Sequence, residues 1–281
     1  MPLMRALAVT VVVAVAEVIG GVLTNSLALI ADAGHMVTDV AALSLALFAA
    51  WLGSRPPLPG QTFGARRWEV LAAWFNGAAL LVISGAILWE AVGRLSSPPQ
   101  VKGGLMLVVA TIGLATNALS AWWLHGVRGT TLNARGAYLH VMGDLLGSLA
   151  TIVAGVLLVT VGWPLADPIA SMAVSLLILV SATRLVREAT SVLLEATPPH
   201  IDLAGVRSTL ERVDSVQSVH DLHVWTVGGG LVAMSAHAVL SDYARSQTVL
   251  EESRKEMERL GIVHVTIQIE TPALDDCGDC E

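Results

Sequence analysis

The sequence predicts an α-helical membrane protein: six transmembrane helices followed by a small α+β cytoplasmic domain of αββαβ, ferredoxin-like order. Three observations predict it. Six apolar runs each reach the roughly 20 residues that a bilayer core requires. Charge is sparse from Leu3 to about Ala182, whereas Pro198 to Glu281 has the mixed composition of a water-soluble segment. The later segment also changes period, alternating as strands around a triple-glycine turn.

The runs cover residues 3–24, 28–52, 69–93, 104–125, 132–160 and 165–186. The first begins with Met1-Pro-Leu-Met-Arg5 and contains Ala14-Val-Ala16, which imitates a cleavable signal peptide. Its apolar stretch continues past Glu17 to Leu23, however, which is long enough to span. The connections are short and carry turn chemistry, as in Ser54-Arg-Pro-Pro-Leu-Pro-Gly60 and Ser96-Ser-Pro-Pro99. With both termini inside, Arg5, Arg55, Arg66, Arg67, Arg128, Arg135, Arg184 and Arg187 fall on the cytoplasmic side, against Arg94 and Lys102 opposite. The positive-inside rule therefore favours cytoplasmic N and C termini.

Pro198-Pro199 marks the boundary, because paired prolines end helices and stiffen a linker. The reading is a transport-type membrane domain at 1–190, a cytoplasmic domain at 198–272 and a Cys-x-x-Cys tail at 273–281. Within the cytoplasmic domain, Ile201–Val213 places Leu203, Val206, Leu210 and Val213 on one helical face. Val216–Val227 and Leu231–Leu240 are expected strands around Gly228-Gly-Gly230, a strong hairpin signal. Gln247–Leu260 is an expected charged helix and Ile262–Glu270 a final strand.

Composition narrows function. The chain is 54% hydrophobic and 14% charged, with mean hydropathy +0.68, far less charged than a soluble domain. The net charge of −7 gives no reason to expect nucleic acid as a partner. The two cysteines, Cys277 and Cys280, both lie in the last five residues and cannot staple the fold.

The chemistry-bearing signal is a His-x-x-x-Asp pair that occurs twice. His35 and Asp39 lie in the second span, and His140 and Asp144 in the fifth. The spacing puts each imidazole and carboxylate on one helical face, a turn apart. Ionisable groups inside spans are costly and usually face a partner or a pathway. Spans two and five run in opposite directions, so His35 is expected level with Asp144 and Asp39 level with His140, near mid-bilayer. Two imidazoles and two carboxylates suit a four-coordinate zinc-type ion. Their two negative charges balance a divalent cation, and imidazole argues against magnesium or calcium.

Protons compete with metal for such ligands, and histidine titrates near physiological pH. Exporting two positive charges against an inside-negative potential costs about 4.6 kcal/mol per 100 mV, a cost that inbound protons offset. The expectation is zinc export with protons as counter-ion. The alternative is a membrane metal sensor without transport. Nothing points to an enzyme: no His-Glu-x-x-His occurs, and four ligands leave no open coordination position. Asp32, seven residues before Asp39, either lines the exit path or caps the helix start.

In the cytoplasmic segment, His220 and His237 flank Gly229 at nine and eight residues, so antiparallel pairing brings them side by side or diagonal. Cys277 and Cys280 have chelating spacing, and His264 could join those sulfurs if the tail folds back. Strand alternation turns His223 to the face opposite His220. His125 and His200 read as loop or boundary residues.

Four segments carry a family resemblance: Ser26-Leu-Ala-Leu-Ile-Ala-Asp-Ala-Gly-His-Met-Val-Thr-Asp39, Asn133-Ala-Arg-Gly-Ala-Tyr-Leu-His-Val-Met-Gly-Asp144, His220-Asp-Leu-His-Val-Trp225 and Thr266-Ile-Gln-Ile-Glu270. Together they resemble the cation diffusion facilitators, in the zinc-transporting, two-His two-Asp branch. The resemblance implies a Y-shaped homodimer in a lipid bilayer that exports zinc by proton antiport through His35, Asp39, His140 and Asp144. It also adds Glu270 as a third cytoplasmic ligand. Two features differ from many relatives: the loop between spans four and five is not histidine-rich, and that between spans two and three has no His or acidic residue. The chain also starts at its first span. The short loops suit a bacterial inner membrane.

Overall fold

The structure is a computed structural model and describes residues 2–37, 40, 60–125 and 132–271. These fall into two units, one within 1–47 and 73–186 and the other within 48–72 and 187–281.

The first unit is helical. It contains α1 (Pro2–Thr24), α2 (Leu27–Val37), most of α3 (Arg67–Ser96), α4 (Gly103–His125), α5 (Leu132–Thr160) and most of α6 (Ala166–Leu193). Five of the six are at least 23 residues long, about 35 Å at 1.5 Å per residue, which exceeds the hydrocarbon core. Among the described residues, α3 and α6 contain 18-residue windows of mean hydropathy 1.9 and 2.0. The expected second span is described only as far as its first three turns.

Side chains sort in the manner of a lipid-facing bundle. Val22, Val82, Trp89 and Val180 stand exposed, whereas Ser84, Thr151, Ser171, Ser175 and the carboxylates of Glu17, Asp32, Asp144 and Asp167 are buried. Small residues let the helices approach. Leu27 and Ala31 of α2 pack with Leu80, Ile87 and Ala91 of α3 and with Val174, Ile178 and Ala182 of α6. The other side of α2, Ala28 and Leu29, packs with Met106 and Ala110 of α4, Ala154 of α5 and Ala166 and Ala170 of α6. Val13 and Ala14 of α1 meet Met36.

The α1–α2 corner shows how local chemistry aims α2. Asn25 adopts φ 59°, a left-handed conformation that asparagine tolerates, and ends α1. Ser26 N donates to Gly21 O and Asn25 N to Val22 O, the two bonds of a Schellman cap. Ser26 then caps α2, its Oγ accepting from Leu29 N at 3.2 Å. Asp167, in the first turn of α6, accepts from Leu27 N at 2.9 Å and from Ser26 Oγ at 2.5 Å. A carboxylate there satisfies orphan amides and complements the helix dipole.

The second unit is a two-layer α+β fold: α7 (Leu203–Glu211), β1 (Val216–Gly228), β2 (Leu231–Leu240), α8 (Ser246–Arg259) and β3 (His264–Glu270). β2 is central, antiparallel to β1 and parallel to β3. Asp202 caps α7 by accepting from Ala204 N. Gly228 pairs with Leu231, so Gly229 and Gly230 are the central residues of the turn, at φ 58° and 75°. That double positive φ is a type I′ turn, which matches the twist of the strands and fixes their register. Val206 and Leu210 of α7 and Met257 of α8 cover one sheet face, against Val219, Leu222, Val224, Val232, Met234 and Ala236. Burying a side chain of the size of Met257 contributes about 1.5–3 kcal/mol. The opposite sheet face carries the polar residues.

One expectation is corrected here. A β-bulge interrupts pairing between His220 and His223, and Asp221 within it holds φ 46°. The inserted residue resets alternation: Val219 and Leu222 both enter the core, and His223 pairs with Ser235, two residues from His237. His223 therefore shares the face of His220 rather than the opposite one.

Candidate metal sites

The helical unit brings two of the four expected membrane residues into contact. His35 Nε2 of α2 lies 3.2 Å from Asp144 Oδ1 of α5, with Asp144 only 8% exposed. Opposite helix directions place a residue early in the His-x-x-x-Asp of α2 level with the last residue of that in α5. Asp39 and the His140 side chain lie outside the described residues. The pair supplies one imidazole nitrogen and one carboxylate at bonding distance from a shared point, the donor types that zinc accepts.

In the same unit, sequence reasoning left Asp32 between an exit path and a helix cap and passed over its polar neighbours. Asp32, 2% exposed, accepts from Ser148 Oγ at 3.2 Å, and Ser148 lies one turn after Asp144. Asn117 Nδ2 of α4 reaches Ser148 Oγ at 3.4 Å. Asp32 thus faces α5 from inside α2, whereas the cap of α2 is supplied by Ser26 and Asp167. Glu17 of α1 is fully buried within electrostatic reach of Asp32 and Asp144. The available signal was plain: Glu17 is a lone acid in an otherwise apolar span.

On the open face of the sheet, His220 pairs directly with His237 across β1 and β2. Their rings meet edge to face with centroids 5.1 Å apart. Glu270, at the end of β3, joins them: its Oε2 is 3.0 Å from His220 Nε2 and its Oε1 2.9 Å from His237 Nδ1. One donor atom from each of the three lies within 4.8 Å of the others, a set able to hold a divalent metal ion. Burial alone would push the Glu270 carboxyl up. Hydrogen bonds from Gln268 and His220, and the charges of His237 and His220, outweigh it and hold Glu270 below the usual carboxylate value.

Asp221 was not anticipated in this cluster. Its Oδ2 lies 3.4 Å from His237 Nε2, and its Oδ1 2.7 Å from His223 Nε2. Gln268, beside His237 in the parallel register, donates to Glu270 Oε1 at 2.7 Å. His264 sits elsewhere: it opens β3, six residues from Glu270 or about 20 Å of strand, and stacks edge to face on Phe63 at 5.3 Å. Cys277 and Cys280 lie outside the described residues.

Comparison with known proteins gives this geometry its context. The transmembrane-domain profile of the cation efflux family matches residues 3–194, and its cytoplasmic-domain profile matches residues 198–272. The chain belongs to the cation efflux family. Among members of that family, a cadmium, cobalt and zinc/H(+)-K(+) antiporter of Bacillus subtilis is 45% identical, covering 92% of this chain and 84% of that one. The zinc transporter ZitB of Escherichia coli is 43% identical over 95% of this chain and 86% of its own. A solved metal-bound C-terminal domain of the CzcD transporter from Cupriavidus metallidurans is 36% identical, covering 25% of this chain and 99% of that domain, with a TM-score of 0.24. Cation efflux proteins are membrane transporters, and the chain is accordingly a membrane protein with a helical transmembrane domain and a strand-bearing cytoplasmic domain.

Proposed function

We propose that this protein exports divalent metal cations, zinc foremost, from the cytosol by exchange for protons. The observation that carries the reading is the His35–Asp144 contact between α2 and α5, in a chain 45% identical to a cadmium, cobalt and zinc antiporter and 43% identical to a zinc transporter over nearly its whole length. The transport site comprises His35, Asp39, His140 and Asp144. Its two carboxylates balance a divalent charge, and its two imidazoles select zinc, cadmium or cobalt over magnesium. When the site opens to the outer side, protons compete with the metal for these ligands and promote release; opened to the cytosol, the deprotonated ligands rebind metal.

The same reading gives six spans with both termini cytoplasmic, in a bacterial inner membrane, divided at 1–190, 198–272 and 273–281. It also gives a homodimer whose cytoplasmic domain binds zinc through His220, His237 and Glu270. Three donors leave one tetrahedral position to water or to a neighbouring group. Asp221, with its Oδ2 3.4 Å from His237 Nε2, would favour a proton on that nitrogen and leave Nδ1 to bind metal.

The deciding experiment is zinc uptake into proteoliposomes under an imposed pH gradient, comparing the parent with Asp39→Ala and Asp144→Ala. The expected result is gradient-dependent uptake by the parent that both substitutions abolish. Transport surviving both substitutions would overturn the ligand set. A folded parent showing no transport would overturn export in favour of sensing.

A further inference from the structure

Across the sheet, His220, His237 and Gln268 form one row, each paired with the next. Two members of the row are imidazoles. The third is a neutral amide, which is not among the side chains that zinc prefers. Gln268 nevertheless acts on the site. Residues two apart on a strand share a face, so Gln268 reaches Glu270, its Nε2 donating to Oε1 at 2.7 Å. A carboxylate that binds metal can only accept, so the amide turns its NH2 group and not its oxygen toward Glu270.

The two oxygens of Glu270 are therefore not equivalent. Among the described residues, Oε2 meets His220 Nε2 at 3.0 Å, whereas Oε1 meets both His237 Nδ1 at 2.9 Å and the Gln268 amide. An imidazole nitrogen that binds metal gives up its proton and can no longer donate. Oε2 then has no donor left, while Oε1 keeps the bond from Gln268. Glu270 is only 4% exposed, so a bare oxygen there is costly unless metal takes it.

We propose that Gln268 is a positioning residue that restricts Glu270 to one metal-binding oxygen, and that it thereby selects ions content with four ligands. The inference rests on the reading of His220, His237 and Glu270 as the cytoplasmic zinc site. With Oε1 withheld, the protein offers two nitrogens and one oxygen, and a tetrahedral ion completes its shell with one further ligand. Manganese and calcium prefer more numerous oxygen ligands, which a carboxylate gripping with both oxygens would help to supply. Holding Oε1 back disfavours them.

The test uses the full-length chain in detergent, carrying Asp39→Ala, Asp144→Ala, Cys277→Ser and Cys280→Ser so that membrane carboxylates and thiols contribute no ligand. Zinc, cobalt and manganese are titrated into it. Tetrahedral cobalt absorbs visible light strongly, and cobalt of higher coordination number weakly. In this background the cobalt spectrum is expected to be tetrahedral. Adding Gln268→Leu should weaken those bands and lower the preference for zinc over manganese by at least about tenfold. An unchanged spectrum or an unchanged preference overturns the proposal; a general loss of affinity with the same spectrum would make Gln268 merely structural. Should Gln268→Leu not fold, Gln268→Met, which also lacks a donor, undergoes the same titrations: the same shift supports the proposal, and its absence overturns it. Binding that survives His237→Ala in the same background would instead overturn the cytoplasmic site itself.

Discussion

Asp221 shows how a single strained residue can set up its neighbours. Its left-handed φ of 46° is one that Asp and Asn tolerate better than other side chains, and it turns the carboxylate onto the face that His220 and His237 share. His237 thus meets a carboxylate at each ring nitrogen, Glu270 at Nδ1 and Asp221 at Nε2. Outer carboxylates of this kind fix the tautomer of a metal-binding histidine, and removing them typically weakens binding 10- to 100-fold. Asp221→Asn keeps the backbone preference and removes the charge. The expected result is zinc affinity of the cytoplasmic site lowered by about tenfold in calorimetric titration, with zinc exchange through the membrane unchanged. Equal affinity in the two proteins would show that Asp221 does not orient His237. At this scale the sequence was only partly legible. His220 and His237 could be paired because the glycine turn counts residues symmetrically. Glu270 came from family resemblance, since a parallel third strand has no turn from which to count. His223 was misplaced, and Asp221 was not singled out, because a bulge inserts one residue without any compositional mark.

At the scale of elements, the apolar runs and the glycine turn were legible because each is a local pattern of length or composition. The predicted strand Leu231–Leu240 has the observed ends, and the predicted helix Gln247–Leu260 differs from α8 by a residue at each end. The start of α2 was not legible. Asp32 was the cap candidate, but Ser26 caps the helix, and the carboxylate that completes the cap comes from Asp167, 140 residues away from Leu27. Asp167 satisfies two orphan amides and the Ser26 hydroxyl at the end of the helix that carries His35. Replacing it with alanine leaves these donors buried, at a cost of about 2–3 kcal/mol. Asp167→Ala is expected to lower the thermal midpoint in detergent by several degrees and to slow zinc uptake. Asp167→Asn, which can still accept, should recover part of both. A melting profile like the parent's would mean that α2 is held by packing alone. The turn makes a parallel case: Gly230→Val at φ 75° forces a β-branched residue into a left-handed conformation at about 1–2 kcal/mol. It should destabilise the hairpin and weaken zinc binding at His220 and His237 together.

For the whole molecule, the question is how a cytoplasmic metal site bears on transport by the spans. One protomer offers His220, His237 and Glu270 on the open face of a three-stranded sheet whose other face is covered by helices. In the proposed homodimer, a second copy can cover that open face without displacing the core, and the metal donors lie on it. Metal that binds the dimer better than the separated domains must tighten the dimer by the same factor, because linkage is reciprocal. Couplings of this type are about 1–3 kcal/mol, or 5- to 150-fold. Cytosolic zinc would then draw the two cytoplasmic domains together and bias the spans when there is metal to export. The measurement is the inter-protomer distance between spin labels at the exposed Glu252 of α8, changed to cysteine in a chain carrying Cys277→Ser and Cys280→Ser. Zinc is expected to shorten and narrow the distance distribution in this protein and to leave it unchanged when His237→Ala is added. Zinc affinity should also rise with protein concentration across the dimerisation range. A distribution indifferent to zinc, in protein shown by titration to bind it, would uncouple the cytoplasmic site from dimer geometry and leave regulation to the membrane ligands alone.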